Sequence, residues 1–321
     1  MTTDVLIVGA GMAGLACARA LDRAGRDCLV IDKGRGAGGR MATRRVTLGD
    51  DEVRFDHGAQ YFTVRDPGFA ALIDALPGAT AIWEDGAAEP HRVGRPGMSA
   101  LPRALAEGLE LRTGVEVTGL ARAGAGWRAE TTAGPIEAAH VVLTIPAPQA
   151  ARLPGLPAAL ADRLRGVGMA PCLTLMAAFP ATAPRPVVQL CPDTGPLGWI
   201  ARDSAKPGRA DRVTAWVAQA TPEWSRAHLE EDRATIARRL LPVLAEAIGA
   251  DPDAALHVAG HRWRYARVTA PLGAPFLSAA EGTLHLGGDW ALGARVEAAW
   301  QSGAAIAADL LTTHGMTEAP T

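Results

Sequence analysis

The first residues of the chain alternate between apolar runs and small residues in a pattern typical of a βαβ unit. The run at 5–8 (VLIV) predicts a buried strand, and the segment 15–24 (LACARALDRA) has the composition and spacing of a helix. A second apolar run at 28–31 (CLVI) predicts another strand, which ends on Asp32. A glycine-rich turn separates the first strand from the helix, so the order is strand, turn, helix, strand and acid.

The glycine-rich turn has the spacing of a dinucleotide-binding motif. Gly9 permits a tight turn, Gly11 lets backbone approach a pyrophosphate, and Gly14 lets the helix pack closely against the strand. The helix N-terminus offers N–H groups to phosphate, and Asp32 stands where a carboxylate hydrogen-bonds a ribose diol. The unit predicts a site for NAD(P) or for FAD; a βαβ turn without a ligand is the alternative.

The rest of the pattern suits an α/β chain with an added sheet. Before residue 151 it predicts helices at 67–76 and 101–109 and strands at 114–120, 127–132, 135–137 and 141–146. From there it predicts a helix at 153–167 and turn-separated strands at 172–179, 187–191, 197–202 and 212–219, which favour an antiparallel sheet. The last segments are a helix at 221–248, strands at 256–264 and 284–286, a helix reaching residue 311 and a polar tail at 312–321.

Composition narrows the class of protein. With 321 residues, 48% of them hydrophobic, the chain is long enough for one large domain or two intertwined ones. A net charge of −2 disfavours nucleic acid and membrane surfaces as partners. No signal peptide precedes the first strand and no apolar run has the length of a membrane span, so we expect a cytoplasmic protein. We expect no metal site, because no cluster has metal-ligand spacing.

Three further blocks carry candidate chemistry. The stretch Gly38-Gly39-Arg40 follows Asp32 and would bring backbone and a guanidinium close to a cofactor. The block 55–63 (FDHGAQYFT) concentrates polar and aromatic side chains, which need partners if they are buried. Near the C-terminus, a strand leads through Gly287-Gly288-Asp289 into a helix whose N-terminus would stabilise negative charge on a reduced flavin. This last block favours FAD.

Together these blocks resemble the flavin-containing amine oxidase superfamily and, within it, the renalase-like bacterial FAD-dependent oxidoreductases. The resemblance rests on the glycine turn with Asp32, Gly38-Gly39-Arg40-Met41, 56–61 (DHGAQY), 143–146 (LTIP), Trp263-Arg264 and Gly287-Gly288-Asp289. It implies an α/β fold with a discontinuous Rossmann-like FAD-binding domain at 1–65, 98–150 and 256–321. The interposed α+β substrate domain, at 66–97 and 151–255, would contain a mainly antiparallel sheet.

The resemblance also implies which residues hold a non-covalent FAD. Asp32 would contact the adenosine ribose, Arg40 the pyrophosphate, the Val117 backbone the adenine, and Asp289 and Val296 the flavin end. The full implied set is Gly9, Ala10, Gly11, Met12, Ala13, Gly14, Asp32, Lys33, Gly39, Arg40, Met41, His57, Gly58, Ala59, Gln60, Val117, Thr144, Gly288, Asp289, Arg295 and Val296.

One reaction that this resemblance implies is amine oxidation. Many members of the superfamily place a lysine near the flavin, and this chain has only Lys33, beside the ribose acid, and Lys206. Lys206 lies in a Pro-Gly loop, which is a poor support for a buried ammonium. Tyr61 and Tyr265 would then form an aromatic cage for the amine.

The reaction we favour is the renalase-type oxidation of isomeric dihydronicotinamides, the 2- and 6-dihydro forms of NAD(P). Their hydride would pass to flavin N5, and O2 would reoxidise the flavin and yield H2O2; no general base is needed, because the ring becomes aromatic. Gln60 and Tyr61 would orient the nicotinamide. Arg202, Lys206 and Arg264 would attract the anionic remainder of the substrate.

Two qualifications accompany that choice. Renalases continue the Trp-Arg pair with His, whereas this chain has Tyr265, also a candidate pocket residue. A flavin- or NAD-binding module without turnover is a third hypothesis, which the polar cluster at 56–61 disfavours.

Overall fold

The computed structural model describes residues 1–210 and 212–315. The strands are β1 (Thr2–Val8), β2 (Cys28–Asp32), β3 (Thr43–Leu48), β4 (Asp51–Asp56), β5 (Thr80–Trp83), β6 (His91–Gly94), β7 (Glu110–Thr113), β8 (Val117–Ala123), β9 (Gly126–Thr131), β10 (Ile136–Leu143), β11 (Gly168–Pro180), β12 (Gln189–Leu190), β13 (Leu197–Arg202), β14 (Val213–Ala220), β15 (His257–Ala270), β16 (Leu277–Ala279) and β17 (Leu284–Leu286). The α-helices are α1 (Met12–Arg23), α2 (Pro67–Asp74), α3 (Ala100–Ala106), α4 (Ala147–Ala150), α5 (Ala158–Arg165), α6 (Pro222–Ala227), α7 (Arg233–Ile248), α8 (Asp289–Leu292) and α9 (Val296–Gly315).

The larger sheet is the Rossmann-like sheet that the N-terminal pattern predicts. Its order is β16-β17-β10-β1-β2-β7, and the β8–β9 hairpin joins it through β10. β1 pairs in parallel with β2 and with β10, and β10 pairs in parallel with β17. Val5 and Ile7 pack against α1 and α9 on one face, while Leu6 and Val8 pack with the β8–β9 hairpin and α5 on the other. Burial on both faces explains the continuous apolar run in β1.

The second sheet is antiparallel, as predicted, with the order β12-β13-β14-β11-β15. One face carries Leu173, Leu175 and Phe179, which pack with Ile236 and Leu240 of α7. The opposite face is turned towards the loop after β4, and β15 is its edge strand. The α/β fold class is therefore confirmed, and the division into a discontinuous cofactor domain and an interposed substrate domain stays our proposal.

Several element predictions are corrected. The β3–β4 and β5–β6 hairpins and the short strand β7 were not predicted. The helix predicted at 221–248 is two helices, because the Asp232 side chain accepts a hydrogen bond from Thr235 N at 2.9 Å and caps the start of α7. The helix predicted at 153–167 is confined to α5, and α9 extends to Gly315. The predicted polar tail lies outside the described residues from position 316 onwards.

The described helices include none that combines the length and the hydrophobicity required for a membrane span.

Candidate functional site

The turn between β1 and α1 forms an open cradle of backbone. Gly9 has φ of +114°, and a side chain on Gly14 would collide with the carbonyl oxygen of Gly9. A Cβ on Gly11, by contrast, would meet no atom within 4 Å. The backbone at Gly11 is thus accessible to a ligand group, at the N-terminus of α1 where N–H groups favour phosphate.

Asp32, at the end of β2, closes this cradle. Its Oδ2 accepts a hydrogen bond from Ala10 N at 2.7 Å, and its Oδ1 accepts one from Gly34 N at 2.6 Å. A carboxylate has about four acceptor positions, so two bonds leave capacity for a ribose hydroxyl. The carboxylate therefore holds the turn and keeps acceptor positions for the ribose hydroxyl that the sequence predicts as its partner.

The other residues predicted for the adenosine half surround the same turn. Thr144 follows β10 and donates its hydroxyl to the carbonyl of Gly9 at 3.1 Å. Lys33 is exposed and pairs with Glu116 at 3.2 Å. Buried positions nearby are Met12, Ala13 and Val117.

The loop at 38–41 packs directly on the glycine turn. Gly38 N donates to the Ala10 carbonyl at 2.8 Å, and Gly39 has φ of +53°. The Arg40 guanidinium makes a bidentate pair with Asp289, at 2.7 and 2.8 Å. The sequence predicted separate contacts for these two side chains, with the pyrophosphate and with the flavin end. In the structure the two side chains pair with each other, because their loops face one another across the end of the Rossmann-like sheet, and their contacts with the cofactor stay a prediction.

The C-terminal block supplies a second helix start at this end of the sheet. Gly288 has φ of +147°, which favours glycine, and its N–H donates to Ser302 Oγ at 2.9 Å. Arg295 is exposed, and Val296 begins α9. The buried Glu297 carboxylate accepts hydrogen bonds from two backbone N–H groups after β4, those of Arg65 and Asp66, both at 2.7 Å.

These features fit a flavin dinucleotide. The unfilled space at Gly11 and the spare acceptors of Asp32 suit the adenosine and phosphate half. The Arg40–Asp289 pair and the start of α9 lie where the sequence placed the rest of the cofactor. Two helix N-termini at one sheet end give an environment that stabilises negative charge.

The block at 57–60 lies between the loop at 38–41 and the antiparallel sheet. Ala59 N donates to the Arg40 carbonyl at 2.8 Å. From the sheet, Gln219 Nε2 donates to the Gly58 carbonyl at 2.6 Å, and Trp263 Nε1 donates to the His57 carbonyl at 2.8 Å. A side chain on Gly58 would collide with the Arg40 carbonyl, so glycine is needed for this close approach.

Four side chains form a row across the sheet on the side of this block. The pairing register places Trp199 of β13 opposite Gln219 of β14, Gln219 opposite Thr174 of β11, and Thr174 opposite His261 of β15. Directly paired residues of antiparallel strands share a face, so the four belong to one surface. We call this set the polar row. Sequence reasoning missed Gln219, Thr174 and His261, because strand alternation does not reveal which strands become neighbours.

Two histidines and a tryptophan meet at one end of the polar row. The His57 ring lies 4.5 Å from that of His261 and 5.3 Å from that of Trp263, measured between centroids. Burial, followed by the charge of Arg44, lowers the pKa of His57 to about 4. Burial also lowers the pKa of His261 to about 3, with His57 and Arg233 as further causes. Both imidazoles are therefore neutral at neutral pH.

Tyr61 lies at the other end of the row. Its ring stacks on His91 at 3.5 Å between centroids and lies 5.7 Å from Trp199. Gln60 is buried, and its Nε2 donates to the Gly58 carbonyl at 3.2 Å. The structure thus brings both residues of the predicted pair to the side of the sheet that carries the polar row.

A buried network of two carboxylates and two cations lies beneath Gln60. Lys206 Nζ is 2.6 Å from Asp203 and 3.3 Å from Asp56, and Arg209 pairs with the same two acids. Lys206 also donates to Gln60 Oε1 at 3.4 Å. Burial acts to raise the pKa of Asp56, but Lys206 and Arg209 outweigh it and hold that pKa below its usual value. We call these four residues the ion network.

The ion network corrects the prediction for Lys206. The sequence placed this ammonium in the substrate pocket, to attract an anion or to serve as an amine oxidase lysine. Its side chain is fully buried and neutralised by two carboxylates, so its charge is not available to a substrate.

Strand alternation corrects two further predictions. Arg264 is exposed and makes a bidentate pair with Glu230, at 2.7 and 2.9 Å, on the opposite face of β15 from His261 and Trp263. Arg202 is opposite Trp216, which packs on the α7 side of the sheet, and its Nη1 donates to the Arg185 carbonyl at 3.4 Å. Neither arginine joins Gln60 and Tyr61.

Tyr265 also has a different partner. Its hydroxyl accepts a hydrogen bond from Arg152 at 2.9 Å, in an exposed contact. The structure does not bring it to Tyr61, whose ring partners are His91 and Trp199.

The chain was compared with known families and solved structures. A family model described as an NAD(P)-binding Rossmann-like domain matches residues 7–76, and one described as flavin containing amine oxidoreductase matches residues 80–311. Similar solved structures include a redesigned putrescine oxidase, with 15% identity, a TM-score of 0.77 and coverage of 97% of this chain and 99% of that one.

Two other solved structures are equally alike in fold. A putative protoporphyrinogen oxidase from Exiguobacterium sp. 255-15 has 16% identity and a TM-score of 0.77, over 96% of this chain and 98% of that one. Cyclohexylamine oxidase from Brevibacterium oxydans IH-35A has 13% identity and a TM-score of 0.75, over 98% and 100%. At these identities the likeness concerns the fold.

Proposed function

We propose a reaction for this chain from the premise that it belongs to the flavin containing amine oxidoreductase family and is a flavin-dependent oxidoreductase. The proposed substrates are the isomeric dihydronicotinamides, 2- and 6-dihydro-NAD(P), which the enzyme oxidises to NAD(P)+. The glycine turn at 9–14 and Asp32 would hold FAD, which would supply the hydride acceptor, with O2 as the final oxidant and H2O2 as its product.

The observation that carries this proposal is that the described residues of the polar row and its end offer only weak bases. The pKa values of about 4 for His57 and about 3 for His261 make both imidazoles poor proton acceptors, and the nearby carboxylates of Asp56 and Asp203 are paired with cations in the ion network. An amine must lose a proton before it gives up a hydride, which a basic group would assist. A dihydronicotinamide needs no such group, because its ring becomes aromatic as the hydride leaves.

The side chains of the row suit a flat ring that carries an amide. Trp199 and Tyr61 offer aromatic surface for stacking. Gln60 and Thr174 are buried, and the Gln60 amide is bonded to the Gly58 carbonyl and to Lys206, so they fix the position of this surface. In this proposal their task is orientation, which places the reacting carbon against the cofactor and excludes water.

Amine oxidation is the second candidate function. The family description and two of the similar structures, a putrescine oxidase and a cyclohexylamine oxidase, favour it. The aromatic pair of Tyr61 and Trp199 would hold an alkyl amine.

Anaerobic mixing separates the two reactions. We expect the visible flavin absorbance to bleach when the purified yellow protein is mixed with 2- or 6-dihydro-NAD(P), and to stay unchanged with a panel of primary and secondary amines. Bleaching by amines alone would replace the first function by the second.

A further inference from the structure

The arginines predicted to attract the anionic part of the substrate have other partners, but two further cations influence the histidines at the end of the polar row. Arg44 is one. In the β3–β4 ladder it is opposite Phe55, whose ring lies 5.7 Å from that of His257 at the start of β15. Paired residues share a face, so Arg44 lies on the side of the hairpin that covers the antiparallel sheet. The charge of Arg44 also contributes to the lowered pKa of His57.

Arg233 approaches the same place from the other side of β15. It is the first residue of α7, and its carbonyl packs so closely on Gly260 that a side chain there would collide with it. Gly260 directly precedes His261, and β15 is the edge strand, so a side chain from the start of α7 can reach around the edge. Arg233 contributes to the low pKa of His261, behind burial and His57.

Neither arginine has a carboxylate partner within residues 1–210 and 212–315. The acids closest in sequence to Arg233 are already engaged. Glu230 pairs with Arg264, Glu231 pairs with Arg239 at 2.9 Å, and Asp232 caps α7. The two guanidinium groups therefore keep their charge and their hydrogen-bond donors for a ligand.

The two histidines whose pKa values these arginines lower also carry unsatisfied polar atoms. His57 is 5% exposed, and its Nδ1 has no hydrogen-bond partner. His261 Nδ1 is likewise buried without a partner. Buried polar atoms are normally paired, so two unpaired ring nitrogens, in histidines that feel the charge of two unpaired arginines, indicate a place for a polar, negatively charged ligand.

We propose that Arg44 and Arg233 dock the phosphate groups of the substrate at the β15 edge, so that the enzyme takes dihydronicotinamide nucleotides in preference to the phosphate-free riboside. This inference rests on the proposed function and adds a specificity determinant to it. Arginine suits the role because its planar guanidinium binds phosphate oxygens in a bidentate manner.

The test compares substrates with and without phosphate in the FAD-loaded enzyme. For the wild type, we expect the KM of the 6-dihydro-NAD isomer to be about tenfold or more below that of the matching dihydronicotinamide riboside, as charge-assisted contacts predict. Arg44→Ala and Arg233→Ala should each raise the KM of the dinucleotide about tenfold and bring the ratio towards one. Arg44→Lys should restore part of the difference.

Arg238→Ala is the matched control, because this exposed arginine of α7 contacts Thr235 and not the row. It should leave the ratio at the wild-type value. Equal KM values for nucleotide and riboside in the wild type would overturn the inference while leaving the proposed function intact. Loss of FAD from Arg44→Ala would also overturn it, by assigning Arg44 to the cofactor. A wild type that oxidises neither compound would reject the proposed function itself.

Discussion

At the scale of single residues, the histidine pair makes the molecule sensitive to acid. His57 is buried and His261 is half-buried, with pKa values of about 4 and about 3, whereas an unfolded histidine titrates near pH 6.5. Below pH 6.5 the unfolded chain therefore binds protons that the native protein excludes. The stabilisation is fully present above pH 6.5 and is lost as the pH falls towards 4.

We predict that His57→Gln flattens this pH dependence. Between pH 6.5 and 4 the wild type should lose on the order of 3 kcal/mol of unfolding free energy through His57, at 1.36 kcal/mol per pKa unit. The variant should lose less over the same range. Urea titrations at a series of pH values measure both slopes; parallel slopes would show that His57 does not carry the effect.

Single residues also show the limits of reading this site from sequence. Gly9, Gly14 and Asp32 were predictable, because their geometry is contained in one contiguous motif. Arg264 was misplaced, although it adjoins Trp263, because adjacent strand residues point to opposite faces. Gln219 was missed because its contact with Gly58 depends on how distant parts of the chain fold together, and Thr174 because its place opposite Gln219 depends on the register of strand pairing.

At the scale of elements, α1 and α9 pack closely with both N-termini at the end of the sheet that carries the site. The contact depends on Gly303, where a side chain would collide with the backbone of Ala13. Gly11, at the start of α1, faces open space instead, and its φ of −82° is accessible to alanine. The two glycines therefore have separable roles.

We predict opposite outcomes for these two glycines. Gly303→Ala should lower the unfolding free energy by about 1–3 kcal/mol, because α9 must move away from α1. Gly11→Ala should leave the stability of the apoprotein near that of the wild type and weaken FAD binding about tenfold or more.

Denaturant titration of the apoprotein and flavin titration measure the two quantities. Gly36→Ala is the control, since its side chain would meet no atom within 4 Å and its φ is not positive. A Gly11→Ala protein that binds FAD normally would contradict the assignment of the cradle.

The element predictions succeeded where the pattern is local. β1, α1 and β2 follow from one stretch of hydrophobic periodicity, and their parallel pairing is confirmed. The β3–β4 hairpin was missed because its strand residues are largely charged and only partly buried. The break between α6 and α7 was missed because a run of acids at 230–232 is also typical of the solvent-exposed face of a continuous helix, although Asp232 is a capping residue.

At the scale of the whole molecule, the ion network joins the end of β4, beside the predicted cofactor site, to the antiparallel sheet that carries the polar row. Asp56 ends β4, next to the loop that Arg40 contacts, while Asp203, Lys206 and Arg209 belong to the connection between β13 and β14. Asp56 N also donates to Asp203 at 3.0 Å. Buried ion pairs thus connect the end of β4, which leads to the contact with Arg40, with the antiparallel sheet.

The two lysines of the chain provide a matched test of this tie. Lys206→Met leaves two buried carboxylates with one cation and should lower the unfolding free energy by about 3–5 kcal/mol. Lys33→Met removes an exposed pair with Glu116 and should cost less than about 1 kcal/mol. Thermal and denaturant unfolding measure both, and similar losses in the two variants would contradict a stabilising role for the network.

The parallel pairing of β10 with both β1 and β17 has a consequence for biosynthesis. Thr2 is paired with Glu137, and Val141 with Leu284, so the sheet is incomplete until nearly the whole chain has left the ribosome. Until then β10 presents an apolar edge, a surface prone to self-association, and contacts of such sequence separation form slowly. The cofactor site is therefore completed only when β17 and α9 join the sheet, and we expect FAD binding to follow the synthesis of these two elements.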